Sequence, residues 1–188
     1  MTTNNVSTFL QKIQQGVKPN MFKVVIPSDP AEGATAEDLT ILCKSSSLPG
    51  SSIGTIEVPY RGRVVKIAGD RTFDNWSATF FVDSEMGTRA FFERWMDKIN
   101  SHQDNDAQLI SPLESDGYSR RVQISQMEKD NTDGGKVLRT YDLWYAFPTS
   151  ISTIDVAYDS NDQIEEFTVE FQYSYWTVET DDVKSGGG

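Results

Sequence analysis

The chain is poor in the residues from which enzyme and metal sites are built. It has one cysteine, Cys43, and one histidine, His102, in 188 residues. A single cysteine excludes an intrachain disulfide. Lying in the apolar run 39–44, it reads as a buried, inert thiol, which suits a reducing compartment. Zinc sites draw on several Cys and His ligands, and two such residues do not supply one. A Ser-His-Asp site would have to use His102, which falls in a polar stretch at the end of a predicted helix. No glycine loop is followed by G-K-[ST], and no G-x-S-x-G elbow occurs. Glu165 and Glu166, like Asp181 and Asp182, are adjacent, so on a strand they point to opposite faces. A hydrolytic carboxylate pair drawn from distant strands stays open. No cofactor and no metal is implied. The start, M-T-T-N-N, lacks the basic and apolar regions of a signal peptide. No apolar run is long enough to span a bilayer. The expectation is a protein made in a cytosol-like space, with no membrane insertion.

Positive charge is also scarce. Seventeen Lys and Arg face 28 Asp and Glu, for a net charge of -11 and a pI near 4.5. Such a surface disfavours tight binding to nucleic acid phosphates. It remains compatible with loose passage of nucleic acid past an acidic wall. Mean hydropathy is low, at -0.47, but aromatics make up 11% of the chain. That aromatic load argues for a packed core rather than disorder. The length suits one domain.

Periodicity supplies the elements. Residues 6–15 read as a short amphipathic helix with Ser7 as cap and Phe9, Leu10 and Ile13 on its apolar side. Residues 22–26 are strand-like, and 27–38 read as a flexible loop. Strands follow at 39–44, 53–58 and 60–67, with Pro59 marking an edge or bend. Residues 76–82 alternate, with Trp76, Ala78, Phe80 and Val82 on one face. Residues 84–101 form the one long predicted helix, capped by Ser84, with Phe91, Phe92, Trp95, Met96 and Ile99 in one core-facing stripe. After a polar loop at 103–117, long strands are predicted at 118–127 and 136–147. Pro148 breaks the chain, and a further strand spans 151–158. The last strand alternates Phe167, Val169, Phe171, Tyr173 and Tyr175 with polar residues. The fold class is mainly β: an antiparallel β-sandwich or barrel with one flanking α-helix and a short N-terminal helix. It forms a single domain over 1–188, with a core at about 19–177 and an acidic, flexible tail at 178–188. An open sheet of this kind would pair with other chains, so either the barrel closes or its edges serve assembly.

Residues 68–76, A-G-D-R-T-F-D-N-W, read as a connection between two strands, with Asp70 and Arg71 as a local ion pair. Arg61, Arg63 and Lys66 cluster just before it, and Arg120 and Arg121 begin a later strand. They are either solvated strand faces or contacts to acidic patches on another copy, where charge fixes register and partner.

This order of elements, with A-G-D-R-T-F-D-N-W at its centre, resembles the tail tube proteins of T4-like contractile bacteriophages. P-N-M-F-K-V at 19–24 is similar to that family's first strand. C-K-S-S-S-L-P-G at 43–50 resembles its small-residue connection. The segment 147–169 is similar to its closing hairpin, and Tyr175 with Trp176 to its aromatic end. The resemblance covers about 19–176. Segments 27–38 and 103–117 are longer than the T4 type leads one to expect. The resemblance implies a fold shared with type VI secretion tubes and hexameric rings that stack into a hollow conduit. Its partners would be the tape-measure protein, the tail sheath protein, and the baseplate and tail-terminator proteins. DNA would pass through transiently and non-specifically. The location implied is the virion tail, after assembly in the host bacterial cytoplasm.

On this reading Arg61, Arg63, Lys66, Asp70, Arg71 and Asp74 are inter-subunit contacts. Asp155, Asp159, Glu165, Glu166 and Glu170 are the acidic lumen. Segments 27–38 and 45–52 and the tail after Thr177 are expected to order on assembly. Alternatives are a tube-initiating baseplate protein, the tube of a contractile injection system, and, from another class, a small-ligand-binding β-barrel.

Overall fold

The computed structural model describes residues 6–14, 16–28, 34–102, 117–128, 136–158 and 163–179. Nine strands and three helices follow in the order α1 (Val6–Gln14), β1 (Phe22–Val25), α2 (Ala36–Ile41), β2 (Cys43–Ser46), β3 (Ser51–Tyr60), β4 (Arg63–Phe73), β5 (Trp76–Phe81), α3 (Gly87–Ile99), β6 (Arg120–Glu128), β7 (Lys136–Ile151), β8 (Glu166–Gln172) and β9 (Tyr175–Glu179). Every strand pairing among the described residues is antiparallel.

The main sheet runs β1-β6-β7-β8-β5-β2, with β9 added on β7. Its hinge is β7, whose first part pairs with β6 and β9 and whose last residues pair with β8. Between the pairs Val122–Leu143 and Arg120–Ala146 its ladder to β6 slips, and Tyr145 there takes a positive φ of 57°. A bulge bends a strand and sharpens its twist, which lets one strand serve both halves. Pro148 does not break the chain as the sequence reading expected. β7 runs through it with a second shift before Ser150. The strand expected at 151–158 is absent after Ile151.

Among the described residues the sheet path does not close, since no ladder joins β1 to β2. Helix α2 lies at that opening. The Thr40 hydroxyl donates to the Val24 carbonyl at 2.7 Å, Leu39 is fully buried, and Phe81 N–H donates to the Leu42 carbonyl just past the helix. The sequence reading put a loop and a strand here. It passed over the capping box, in which Thr35 N–H donates to Asp38 and Asp38 N–H to the Thr35 hydroxyl. Part of segment 27–38 is therefore ordered. Residues 29–33 and 180–188 and nearly all of loop 103–117 lie outside the described residues.

The core is aromatic. Helix α3 carries Phe91, Phe92 and Trp95, all fully buried: Phe92 packs on Phe80 of β5 and on Phe167 and Phe171 of β8, Trp95 packs on Phe171, and Trp76 of β5 meets Phe171 as well. Strand β5 alternates as expected, with Trp76, Ala78 and Phe80 inside. Helix α3 starts three residues later than predicted, and Ser84 does not cap it. Asp83 does: its carboxylate accepts from Gly87 N–H at 3.1 Å and from the Thr88 N–H and hydroxyl at 3.0 and 2.9 Å. Arg120 also turns inward, while Arg121 lies on the face opposite the core residue Val122 and keeps 39% of its side chain exposed. The Arg120 guanidinium lies 4.4 Å over the Trp95 ring and donates to the Pro27 carbonyl. Arg121 covers Trp144 and approaches the buried Asp142.

Candidate assembly surface

Strands β3 and β4 stand apart from this body. Among the described residues they pair only with each other, and every residue from Ser52 to Ala68 is exposed. The turn between them is two residues, Arg61 and Gly62, both with positive φ (47° and 78°). That is the requirement of the tight hairpin turns whose twist matches paired strands. The result is a long arm, and the stretch read as a connection is mostly strand. Ala68 to Phe73 belong to β4, and only Asp74 and Asn75 link it to β5.

Register assigns the arm's faces. Ile56 opposes Ile67, Val58 opposes Val65, and Tyr60 opposes Arg63, so these six share one face. Thr55 with Ala68, Glu57 with Lys66, and Pro59 with Val64 form the other. The first face is an apolar stripe in open solvent: Ile56, Tyr60 and Ile67 are 54%, 63% and 52% exposed. An isolated two-stranded hairpin is at best marginally stable in water, and a contiguous exposed apolar face marks an interaction site. The sequence reading picked the arm's cations and overlooked this stripe. Its signal was the alternation of Ile56, Val58 and Tyr60, answered by Val65 and Ile67 across the Arg-Gly pair.

The arm's root is pinned. Trp76 Nε1 donates to the Ser47 carbonyl at 2.8 Å. The Tyr173 hydroxyl and Trp176 Nε1 both donate to the Gly50 carbonyl, at 3.4 and 3.3 Å. Phe73 packs against Tyr173. Burial, with the Asp74 carboxylate beside it, holds the Tyr173 phenol above its ordinary pKa. Segment 45–52, expected to be unstructured before assembly, is thus an anchored lead-in containing parts of β2 and β3.

The predicted contact residues spread along the arm. Arg61 lies over the Tyr60 ring at the turn, 5.5 Å from its centre. Arg63 begins β4. Lys66 approaches Glu57 at 3.5 Å. Asp70 sits in a β4 bulge, and Arg71 donates to Ser51 Oγ at 2.9 Å instead of pairing with Asp70. Asp74 is at the root.

The acidic set also divides. Glu166 and Glu170 lie on the β8 face turned away from buried Phe167, Val169 and Phe171. Ser77 and Thr79 of β5 and Ser150 of β7 share that polar face, and the Ser150 hydroxyl donates to Glu170. Lys44 pairs with Glu166. Asp155 and Glu165 line a groove of about 330 Å³ at the start of β8. Asp159 lies outside the described residues. Cys43 is half-buried, and burial pushes its thiol up to about 12, so it is not a nucleophile near neutral pH. Among the described residues no helix is long and apolar enough to cross a membrane.

A filled aromatic core, a polar sheet face and a projecting apolar arm define a structural protein that joins others. The chain matches the phage tail tube protein family over residues 4–179, and it belongs to that family. It is thus a non-enzymatic component of a virion tail. It is 30% identical over 159 residues to tail tube protein gp19 of Enterobacteria phage T4, covering 85% of this chain and 90% of gp19. Its fold is similar to a solved sheath/tube terminator of an extracellular contractile injection system, PVC, with a TM-score of 0.61 at 20% identity over 88% of this chain and 97% of that one. It is also similar to a chain of the PVC sheath-tube complex, with a TM-score of 0.60 at 19% identity over 95% and 99%.

Proposed function

We propose that this chain is the repeating subunit of a contractile-tail inner tube, and that the β3–β4 arm joins neighbouring copies. The observation that carries this reading is the arm itself: a ribbon exposed from Ser52 to Ala68, with an apolar face that the described residues of the chain's body do not cover. A chain that holds such a face in water gains by burying it on a copy of itself, at about 25 cal/mol per Å² of apolar surface. Six copies close a ring, and rings stack into a conduit. A tape-measure protein sets the tube's length, a sheath encloses it, and baseplate and terminator proteins bound its ends. The polar face with Glu166 and Glu170 lines the lumen, where net negative charge keeps passing DNA from adhering.

The ligand-binding barrel is not favoured, since Phe80, Phe91, Phe92, Trp95, Phe167 and Phe171 fill the space between α3 and the sheet. A tube initiator or an injection-system tube would use the same arm.

Sedimentation and negative-stain microscopy of the purified chain at rising concentration test this reading, with a baseplate nucleus added. Tubes or stacked rings are expected from the wild type. A variant with residues 56–67 replaced by a short turn is expected to stay monomeric with unchanged circular dichroism. A wild-type chain that remains monomeric even on the nucleus overturns it.

A further inference from the structure

We infer that the tip of the arm seats in the groove at the start of β8 of a second copy, with Arg61 and Arg63 facing Asp155 and Glu165. This docking rests on the tube reading above and names the surface that the arm meets.

The tip is locally basic in an acidic protein. Of its cations, Lys66 is engaged by Glu57 on the arm's other face. Arg61 and Arg63 have no carboxylate partner among the described residues, and the Arg61 guanidinium lies only over its own Tyr60 ring. The groove is the complementary surface. Asp155 and Glu165 are exposed along it, whereas Glu166, at its edge, is neutralised by Lys44.

Apolar character matches as well. Val156 and Ile164 in the groove are 80% and 71% exposed, and they would cover Tyr60 and Val58 of the stripe. The groove's volume of about 330 Å³ is at the small end of the ~300–1,000 Å³ typical of ligand clefts. That suits one aromatic tip rather than a broad flat contact. Opposed charges chiefly set register and partner choice, so the arginines select the groove and the stripe supplies the holding surface.

Tip and groove are different patches on one chain, so repeating their contact head-to-tail generates rings when rotation closes and stacks when it does not.

The test uses the full chain with Cys43→Ala as background. Tyr60→Cys and Ile164→Cys are placed in separate chains, which are mixed, assembled on a baseplate nucleus and oxidised. The expected product is a disulfide dimer formed only in the mixture, its two sites identified by mass spectrometry. In parallel, R61E/R63E is expected to raise the concentration needed for assembly at least tenfold. D155K/E165K is expected to do the same, and the four changes together to restore assembly at least in part.

Tubes that form without the mixed disulfide, or with disulfides only between like cysteines, overturn the docking. So do tubes whose assembly is indifferent to D155K/E165K. In each of these cases the wild type still assembles and the tube reading stands. Failure of the wild type to assemble removes both.

Discussion

Gly54 and Gly69 lie against each other across β3 and β4. A Cβ on Gly69 would stand 3.2 Å from the Gly54 carbonyl oxygen and 3.3 Å from Ile56 Cγ1. The ladder steps from Ile53–Arg71 to Thr55–Ala68, so Gly69 and Asp70 together oppose Gly54. This is a bulge with the extra residue on β4.

The two glycines therefore differ. A Cβ on Gly54 meets nothing nearer than 3.5 Å, an ordinary contact, whereas one on Gly69 presses on backbone. Gly69→Ala is expected to loosen the arm and weaken assembly, at a cost of roughly 1–3 kcal/mol for overpacking. Gly54→Ala should leave both unchanged. Hydrogen exchange of the β3–β4 amides, read beside a sedimentation assay, checks the contrast. Equal behaviour of the two variants would show that the bulge does not set the arm's register.

The apolar stripe makes a different demand. Ile56 and Val65 are 54% and 49% exposed, so changing them removes little from the folded monomer. Ile56→Ser with Val65→Ser should move the monomer's stability by no more than about 0.5 kcal/mol per site. The same pair should abolish or strongly delay tube growth. Thermal unfolding of the monomer and light scattering during assembly give the two readings. A drop in stability with assembly intact would reassign the stripe to the fold.

Much of the body was legible in the sequence because burial leaves a period. The alternation of Trp76, Ala78 and Phe80, and the helical spacing of Phe91, Phe92 and Trp95, each predicted the face that is buried. Family resemblance supplied the tube. What misled was local chemistry read without partners. Pro148 sits in a strand because its ladder shifts beside it, where a missing N–H is tolerated. Gly69 and Asp70 suggested a loop, but a bulge absorbs the same residues inside a strand. Ser84 looked like a cap, yet Asp83 one residue earlier reaches the free amides. Asp155 and Glu165 could not be told apart from Glu166 and Glu170 until β8 was seen to begin at Glu166, which leaves the first two in the groove before it. The arm's stripe was hidden because exposed and buried alternation look alike on paper.

Asp83 gives a pH prediction. Burial works against its charge, but hydrogen bonds from the Thr88 N–H and hydroxyl and the Gly87 N–H outweigh it. They hold the carboxyl below its ordinary value of 3.8. A folded pKa below the unfolded one means that this stabilisation is present above the unfolded value and is lost as pH falls through the folded one. Asp83→Ala should therefore cost about 1 kcal/mol at pH 7, as lost caps do. The difference from wild type should shrink as pH falls below 3.8. Urea unfolding at several pH values reads it. A cost that stays constant down to pH 2.5 would mean that the side chain's shape, not its charge, holds the start of α3.

The apolar faces of α3 and α1 should respond oppositely to truncation. Phe92 is fully buried against Phe80, Phe91, Phe167 and Phe171, so Phe92→Ala should cost about 3–5 kcal/mol. Phe9 on α1 is 62% exposed, beside equally open Val6 and Ile13, so Phe9→Ala should leave the monomer within about 0.5 kcal/mol of wild type. Denaturant midpoints measure both. A large loss at Phe9 would show that α1 docks on its own body in solution.

The lumen assignment is tested by reversing charge where assembly is not at stake. Glu166 and Glu170 project from the polar face of β8, away from the core and on a different element from the arm. Glu170→Lys should leave tubes intact in micrographs, because Glu170 neither packs in the core nor lines the docking groove. The tube's interior would then carry new cations in every ring. Short duplex DNA should be retained by such tubes at low salt and released as salt rises, since phosphate contacts weaken with counterion concentration. Wild-type tubes should retain none under either condition. Reversed tubes that hold DNA no better than wild type would place this face outside the conduit, and the acidic wall would have to be sought on another side of the sheet.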